Sequence, residues 1–237
     1  MDPTKLLDQF LGGDAGAALG RATGAARQQA GAMGGLGGLA GGAAAGGLIA
    51  LLLGSKKVRK MAGGVVGYGG AAALGALAYR AYQNWQAGGA AADAPAATQD
   101  DVARTEPRFL PDAQPSADGQ PFQLALIRAM VGAAKADGHV DAAEQTRLFE
   151  QVDRMGLDAA AKGFVFDVLA KPVDMAEIAG SARTPEQAAE LYLASRLAID
   201  PDHPAERAYL EALAHRLKLP ADLVAHLDRQ AEAGLPA

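Results

Sequence analysis

Two patterns of apolar residues divide this chain. From Gln120 to the C-terminus they recur every three or four positions, the period of a helix with one buried face. Phe122, Leu126, Ala129, Met130 and Ala133 mark a first helix. Asp141-Ala-Ala-Glu144 is a capping box that opens a second, carrying Leu148, Val152 and Met155 and closed by Gly156. A third runs near Ala159–Ala170, with Phe164, Val165, Val168 and Leu169 apolar, until Pro172 stops it. Asp174-Met-Ala-Glu177 opens a short fourth, and Thr184-Pro185 starts a fifth that reaches about Ile199. His203-Pro204-Ala-Glu206 begins the sixth, with Leu210, Leu213 and Leu217 inside. Pro220 begins the seventh, with Leu223, Val224 and Leu227. No strand-like alternation occurs, so residues 120–237 are predicted to form an all-α bundle of about seven helices.

Before Tyr79 the pattern is different. Gly31–Gly54 and Met61–Tyr79 are uncharged, apolar and rich in glycine, and Ser55-Lys56-Lys57-Val58-Arg59-Lys60 separates them. Gly34, Gly38, Gly42 and Gly46 repeat at spacing four in the first; Gly63, Gly67, Ala71 and Gly75 do so in the second. So much glycine weakens a helix in water by about 1 kcal/mol per residue. In a bilayer the backbone must bond internally, and a strip of small residues lets two helices approach closely. Residues 31–86 are therefore predicted to form a glycine-zipper membrane hairpin, with Tyr79, Tyr82 and Trp85 as an interfacial aromatic belt. Residues 87–119, rich in Ala, Pro, Asp and Gly, are expected to be a disordered linker. Residues 1–30 are a polar lead-in with a short amphipathic helix near Leu6, Leu7, Phe10 and Leu11. The start lacks the pattern of a secretory signal, so the apolar stretches are expected to remain in the mature protein.

Composition narrows the chemistry. Cysteine is absent, which excludes disulfides, thiolate metal sites and cysteine nucleophiles. Residues 1–119 carry a net charge of +1 and residues 120–237 one of −6. An acidic domain without clustered Lys/Arg is a poor partner for nucleic acid. No HExxH, GxSxG or GK[ST] motif occurs, so no enzyme and no cofactor are expected.

The segment LIALLLGSKKVRKMAGGVVGYGGAAALGALAYRAYQNWQ, followed by a linker and LIRAMVGAAKADGHVDAAEQTRLFEQV, resembles the YebE-type inner-membrane proteins of Gram-negative bacteria. These proteins have no established function, and their C-terminal domain is similar to the tellurite-resistance protein TerB. The most specific pieces are AAKADGHVDAAE (133–144) and YLASRLAIDPDHPAERAYLEAL (192–213). The resemblance implies a compact TerB-like helical domain and a location in the bacterial inner membrane.

Two acidic loops in those pieces look like a diverged repeat. One presents Asp137, Asp141 and Glu144 with His139, the other Asp200, Asp202 and Glu206 with His203. Helix capping and turn formation account for most of these residues. Brought to one face, their six carboxylates could hold a divalent cation. His215 and His226 are expected on partly exposed helix faces, without a role. The function expected is a membrane-anchored interaction module, partnered by the lipid bilayer and by a protein or a second copy, with a link to envelope or metal stress. The alternative is a divalent metal-ion binder or sensor.

Overall fold

The computed structural model describes residues 1–11, 70–136 and 159–233, apart from Ala96, Asp200 and Asp202. Nine α-helices and no strand occur among the described residues. They are α1 (Pro3–Leu11), α2 (Gly70–Gln86), α3 (Gln99–Arg104), α4 (Phe122–Ala134), α5 (Ala159–Ala170), α6 (Met175–Gly180), α7 (Pro185–Ala198), α8 (Pro204–Arg216) and α9 (Ala221–Ala233). Single 3-10 turns lie at Ala91–Asp93 and Pro107–Phe109. Six of the seven helices expected after Gln120 stand where their caps and prolines place them. The second, opened by Asp141, lies outside the described residues.

The centre of the fold is α7. Eleven of its 14 residues are buried, and it packs on α4, α9 and α2. A helix apolar on one stripe needs one neighbour, whereas one buried all round must be enclosed. Thr184 caps it, accepting a 3.2 Å bond from Gln187 N–H, and Pro185 occupies the first turn, where no N–H is needed. Asp174 caps α6 in the same way, accepting from the N–H groups of Ala176 and Glu177.

The described part of the second apolar stretch, Gly70–Tyr79, lies inside the helical body. These residues form the first part of α2, and Ala71, Ala73, Leu74, Ala76, Leu77, Ala78 and Ala81 are buried against α1, α9 and α7. Burying a leucine stabilises by about 1.5–3 kcal/mol in either environment, so an apolar run of this length marks a core helix as readily as a lipid-facing one. No helix of the described residues is long and apolar enough to cross a membrane. The first stretch, Gly31–Gly54, lies outside the described residues, as do Gly34, Gly38, Gly42, Gly46, Gly63 and Gly67 of the two strips. Gly75 alone of the proposed zipper glycines is described, and it serves the core. A Cβ added there would stand 2.1 Å from the carbonyl oxygen of Phe109, so glycine is what lets the 107–109 turn sit on α2.

The residues of the expected aromatic belt pack on Phe109 and on one another, with Tyr79 buried and Tyr82 and Trp85 half-buried. Phe109 is fully buried, with its ring 5.5 Å from that of Tyr79 and 5.4 Å from that of Tyr82; Tyr82 in turn meets Trp85 edge-on at 5.1 Å. Offset and edge-on pairs of this kind are the favoured aromatic contacts.

The segment 87–119 is not a disordered linker. Two buried glutamines of the helical bundle hold it by its main chain. Gln230 of α9 accepts from Ala97 N–H at 2.8 Å and donates to Pro95 O at 2.8 Å. Gln187 of α7 donates to the carbonyls of Gln114 and Pro115 at 3.2 Å. Arg108 pairs with Glu186 at 3.1 Å, and Ala117 N–H bonds Ser181 O at 2.9 Å. The described residues of 70–119 therefore pack against the described helices that follow Gln120. The expected N-terminal helix is present as α1: Leu6 and Leu7 are buried, and it docks on α2 and α4.

Candidate functional site

A groove of about 730 Å³ lies where three elements converge. The C-terminal turn of α2 supplies Tyr82 and Trp85, both half-buried. The α6–α7 connection supplies Ala179, Ala182 and Arg183, and the α8–α9 turn supplies Leu217, Lys218, Leu219 and Pro220, with Leu223 of α9 beneath. Leu223 is 1% exposed, so the floor is continuous with the core.

The α8–α9 turn is a Schellman motif. Leu219 N–H bonds Ala214 O at 3.1 Å and Lys218 N–H bonds His215 O at 3.1 Å, while Lys218 takes φ 56°. Glycine normally fills that left-handed position, because a Cβ there costs roughly 1–2 kcal/mol. A lysine is held there instead, at the mouth of the groove.

The rim is cationic. Arg183 donates to Ser116 O at 3.2 Å and is exposed; Arg216 and Lys218 are exposed and form no ion pair among the described residues. None of the lining residues is a carboxylate or an imidazole. Asp222 stands beside the groove, and the Trp85 indole next to it holds its carboxyl below the usual carboxylate range. The groove thus offers an apolar floor, two aromatic rings and three guanidinium or ammonium groups, a set suited to binding rather than to proton transfer.

Buried polar groups tie two of the helices together. Arg196 lies between Asp228 at 3.2 Å and Glu232 at 3.6 Å and donates to Ile199 O at 3.3 Å; Tyr192 donates to Asp228 at 3.0 Å. Burial raises Asp228 above the ordinary carboxylate value, and raises the Tyr192 hydroxyl too. Together these bonds tie α7 to α9. Glu190 of α7 is buried, and its Oε2 has no hydrogen-bond partner. Desolvation, with Glu186 nearby, raises its carboxyl well above the usual value.

Of the six carboxylates proposed for a cation, Asp137, Asp141, Glu144, Asp200 and Asp202 lie outside the described residues. Glu206 acts as a cap: its Oε2 accepts from His203 N–H at 3.4 Å, and His203 Nδ1 accepts from Ala205 N–H at 3.2 Å. Among the described residues no three His, Cys, Asp or Glu side chains are grouped to hold a metal ion. His215 is exposed as expected, but His226 is 3% exposed, its Nδ1 lying 2.8 Å from Asp222 O.

Residues 38–231 match the family described as "Protein of unknown function (DUF533)". The chain belongs to this family. A Yersinia enterocolitica relative, "Uncharacterized protein in ampR 5'region", is 36% identical over 98 residues, which cover 41% of this chain and 70% of the relative. No solved structure matches. The family match begins within the first apolar stretch and ends inside α9, so it takes in α2, the 87–119 segment and the groove together.

Proposed function

We propose that this protein is a membrane-tethered interaction module: residues 12–69 hold it at a bacterial inner membrane, and the helical body offers its groove to a protein partner. The observation that carries the reading is where the groove lies. Leu11 and Gly70 sit at the pole where Ala71 N–H meets the Asp8 carboxylate at 2.9 Å. Trp85 lies 15 residues further along α2, about 22 Å away at helical rise. A body tethered by residues 12–69 holds the groove out into the aqueous phase.

The tether itself is argued from sequence and connectivity. Gly31–Gly54 is 24 residues without a charge, about 36 Å if helical. Both flanks of the 12–69 segment rejoin one body, so the segment enters and leaves a bilayer on the same side. A single crossing would separate α1 from α2. Close packing of the glycine strips, within the segment or with a second copy, belongs to the same reading. A TerB-like arrangement of the helices after Gln120 is a further part of it, supported by the order of helices and caps through residues 122–233. Superposing a solved structure of this body on a TerB domain tests that part.

The test of the tether is fractionation of the whole chain beside a variant in which a short Gly/Ser linker joins Leu11 to Gly70. The full chain should stay with membranes through high salt and alkaline carbonate and leave only with detergent. The shortened chain should be released, remain helical and melt cooperatively. Release of the full chain by carbonate, or retention of the shortened one, would reject the tether. A stoichiometric protein that co-purifies with both forms supports the interaction role, and its absence from both counts against it.

A further inference from the structure

We propose that the groove between the end of α2, the α6–α7 connection and the α8–α9 turn binds an acidic segment of a partner protein, its apolar side chains on Tyr82, Trp85 and Leu223 and its carboxylates on Arg183, Arg216 and Lys218. This rests on the reading of the body as an interaction module and names the chemistry of what it binds.

Charge is the first argument. Residues 120–237 carry a net charge of −6, yet Arg216 and Lys218 remain without an ion-pair partner among the described residues. Asp222, the carboxylate beside the groove, is engaged by the Trp85 indole. A local excess of positive charge favours an anionic partner on this face and disfavours a second copy docking through the same face.

Backbone conformation is the second. Lys218 holds φ 56° where glycine would be relaxed. A residue kept in an unfavourable conformation at the mouth of a groove points to a use for its side chain. The third is the floor, where half-buried Tyr82 and Trp85 and the closed Leu223 offer apolar and aromatic surface of the kind that anchors protein interfaces. Lipid headgroups could supply the same negative charge. They lie at the other end of α2 when residues 12–69 are in the bilayer, which favours a protein.

The experiment pans phage-displayed random peptides on the whole protein in detergent micelles and measures the recovered peptides by fluorescence anisotropy. Recovered sequences should be net acidic with large apolar residues. Their affinity should fall about tenfold or more for the double variant Arg216→Glu with Lys218→Glu, and should weaken steadily as NaCl rises to about 300 mM. Both substitutions are on exposed side chains, so the double variant should melt with the parent and still fractionate with membranes. If it leaves the membrane, the tether reading fails instead. Recovery of no peptide, recovery of neutral or basic ones, or binding indifferent to the double variant would overturn the proposal. So would displacement of the peptides by phosphatidylglycerol vesicles, which would assign the groove to lipid headgroups.

Discussion

Replacing Gly75 with alanine puts two opposed effects in one helix. In a helix interior the change gains about 1 kcal/mol, because alanine loses less backbone freedom on folding. At Gly75 the new Cβ would stand 2.1 Å from Phe109 O, against about 3.4 Å for an ordinary contact, so the 107–109 turn must retreat by about 1 Å. The opposing atom is backbone, and it cannot rotate away. Retreat would also disturb the Phe109 ring between Tyr79 and Tyr82 and the Arg108–Glu186 pair. Overpacking typically costs about 1–3 kcal/mol and more where backbone must move, about 2–4 kcal/mol here, so after the gain of about 1 kcal/mol a net loss of about 1–3 kcal/mol is expected. Gly163→Ala supplies the control: Gly163 is exposed in the middle of α5 with nothing within 4 Å of the added Cβ, and the full gain of about 1 kcal/mol should appear. Thermal melting by far-UV circular dichroism reads both. At about 2–4 °C per kcal/mol, Gly75→Ala should lower Tm by about 3–10 °C and Gly163→Ala should raise it by about 2–4 °C. An increase for Gly75→Ala would refute the close approach of Phe109 to α2.

Gln230→Ala should destabilise by about 1–3 kcal/mol, because it strands the buried Ala97 N–H, and limited proteolysis should then cut first in residues 87–98. Glu190→Gln should leave stability nearly unchanged at pH 4 and raise it increasingly as pH climbs above the carboxyl's ordinary value of 4.5. The reason is that the folded state keeps the Glu190 proton while the unfolded chain releases it, so the wild type loses stability as pH rises toward the folded-state value. Melting curves of the two proteins that stay parallel from pH 4 to 8 would contradict a raised Glu190 carboxyl. Lys218→Gly should raise Tm by about 2–8 °C by relieving the positive φ, and a lower Tm would mean that the Lys218 side chain stabilises the turn by more than the strain it carries.

Helices whose ends carry chemical signals were legible in the sequence. Thr184-Pro185, Asp174 and His203-Pro204 each open a helix where the caps say they should, and Leu6 and Leu7 announce α1. The environment of α2 was not legible. Alanine, leucine and glycine at helical spacing satisfy a bilayer and a close-packed core equally, and only the partner surface decides between them. Gly75 meets a carbonyl of residue 109, and nothing local to residues 61–79 records that. The order of residues 87–119 was hidden for a similar reason. Their composition cannot build a core, but their main chain is bonded by Gln187 and Gln230, each a buried amide on a helix of the bundle. Such a glutamine on a buried stripe is the signal that could have found the strap. The groove was equally hidden, since Trp85, Arg183 and Lys218 come from three separate connections. The Leu-Lys-Leu-Pro run at 217–220 held one clue, a helix end without the glycine that usually closes it.

The central claim is that α2 is part of one folded body with α7 and α9 and does not depend on a bilayer. Amide hydrogen exchange, read by mass spectrometry on the whole chain in detergent and on the chain with residues 12–69 replaced by a short linker, tests it most directly. Peptides covering 70–86 should be as protected as those covering 185–198 in both proteins, and the two regions should lose protection together as denaturant is added. Loss of protection in 70–86 alone once residues 12–69 are gone would show that α2 needs the membrane segment, and would contradict the account.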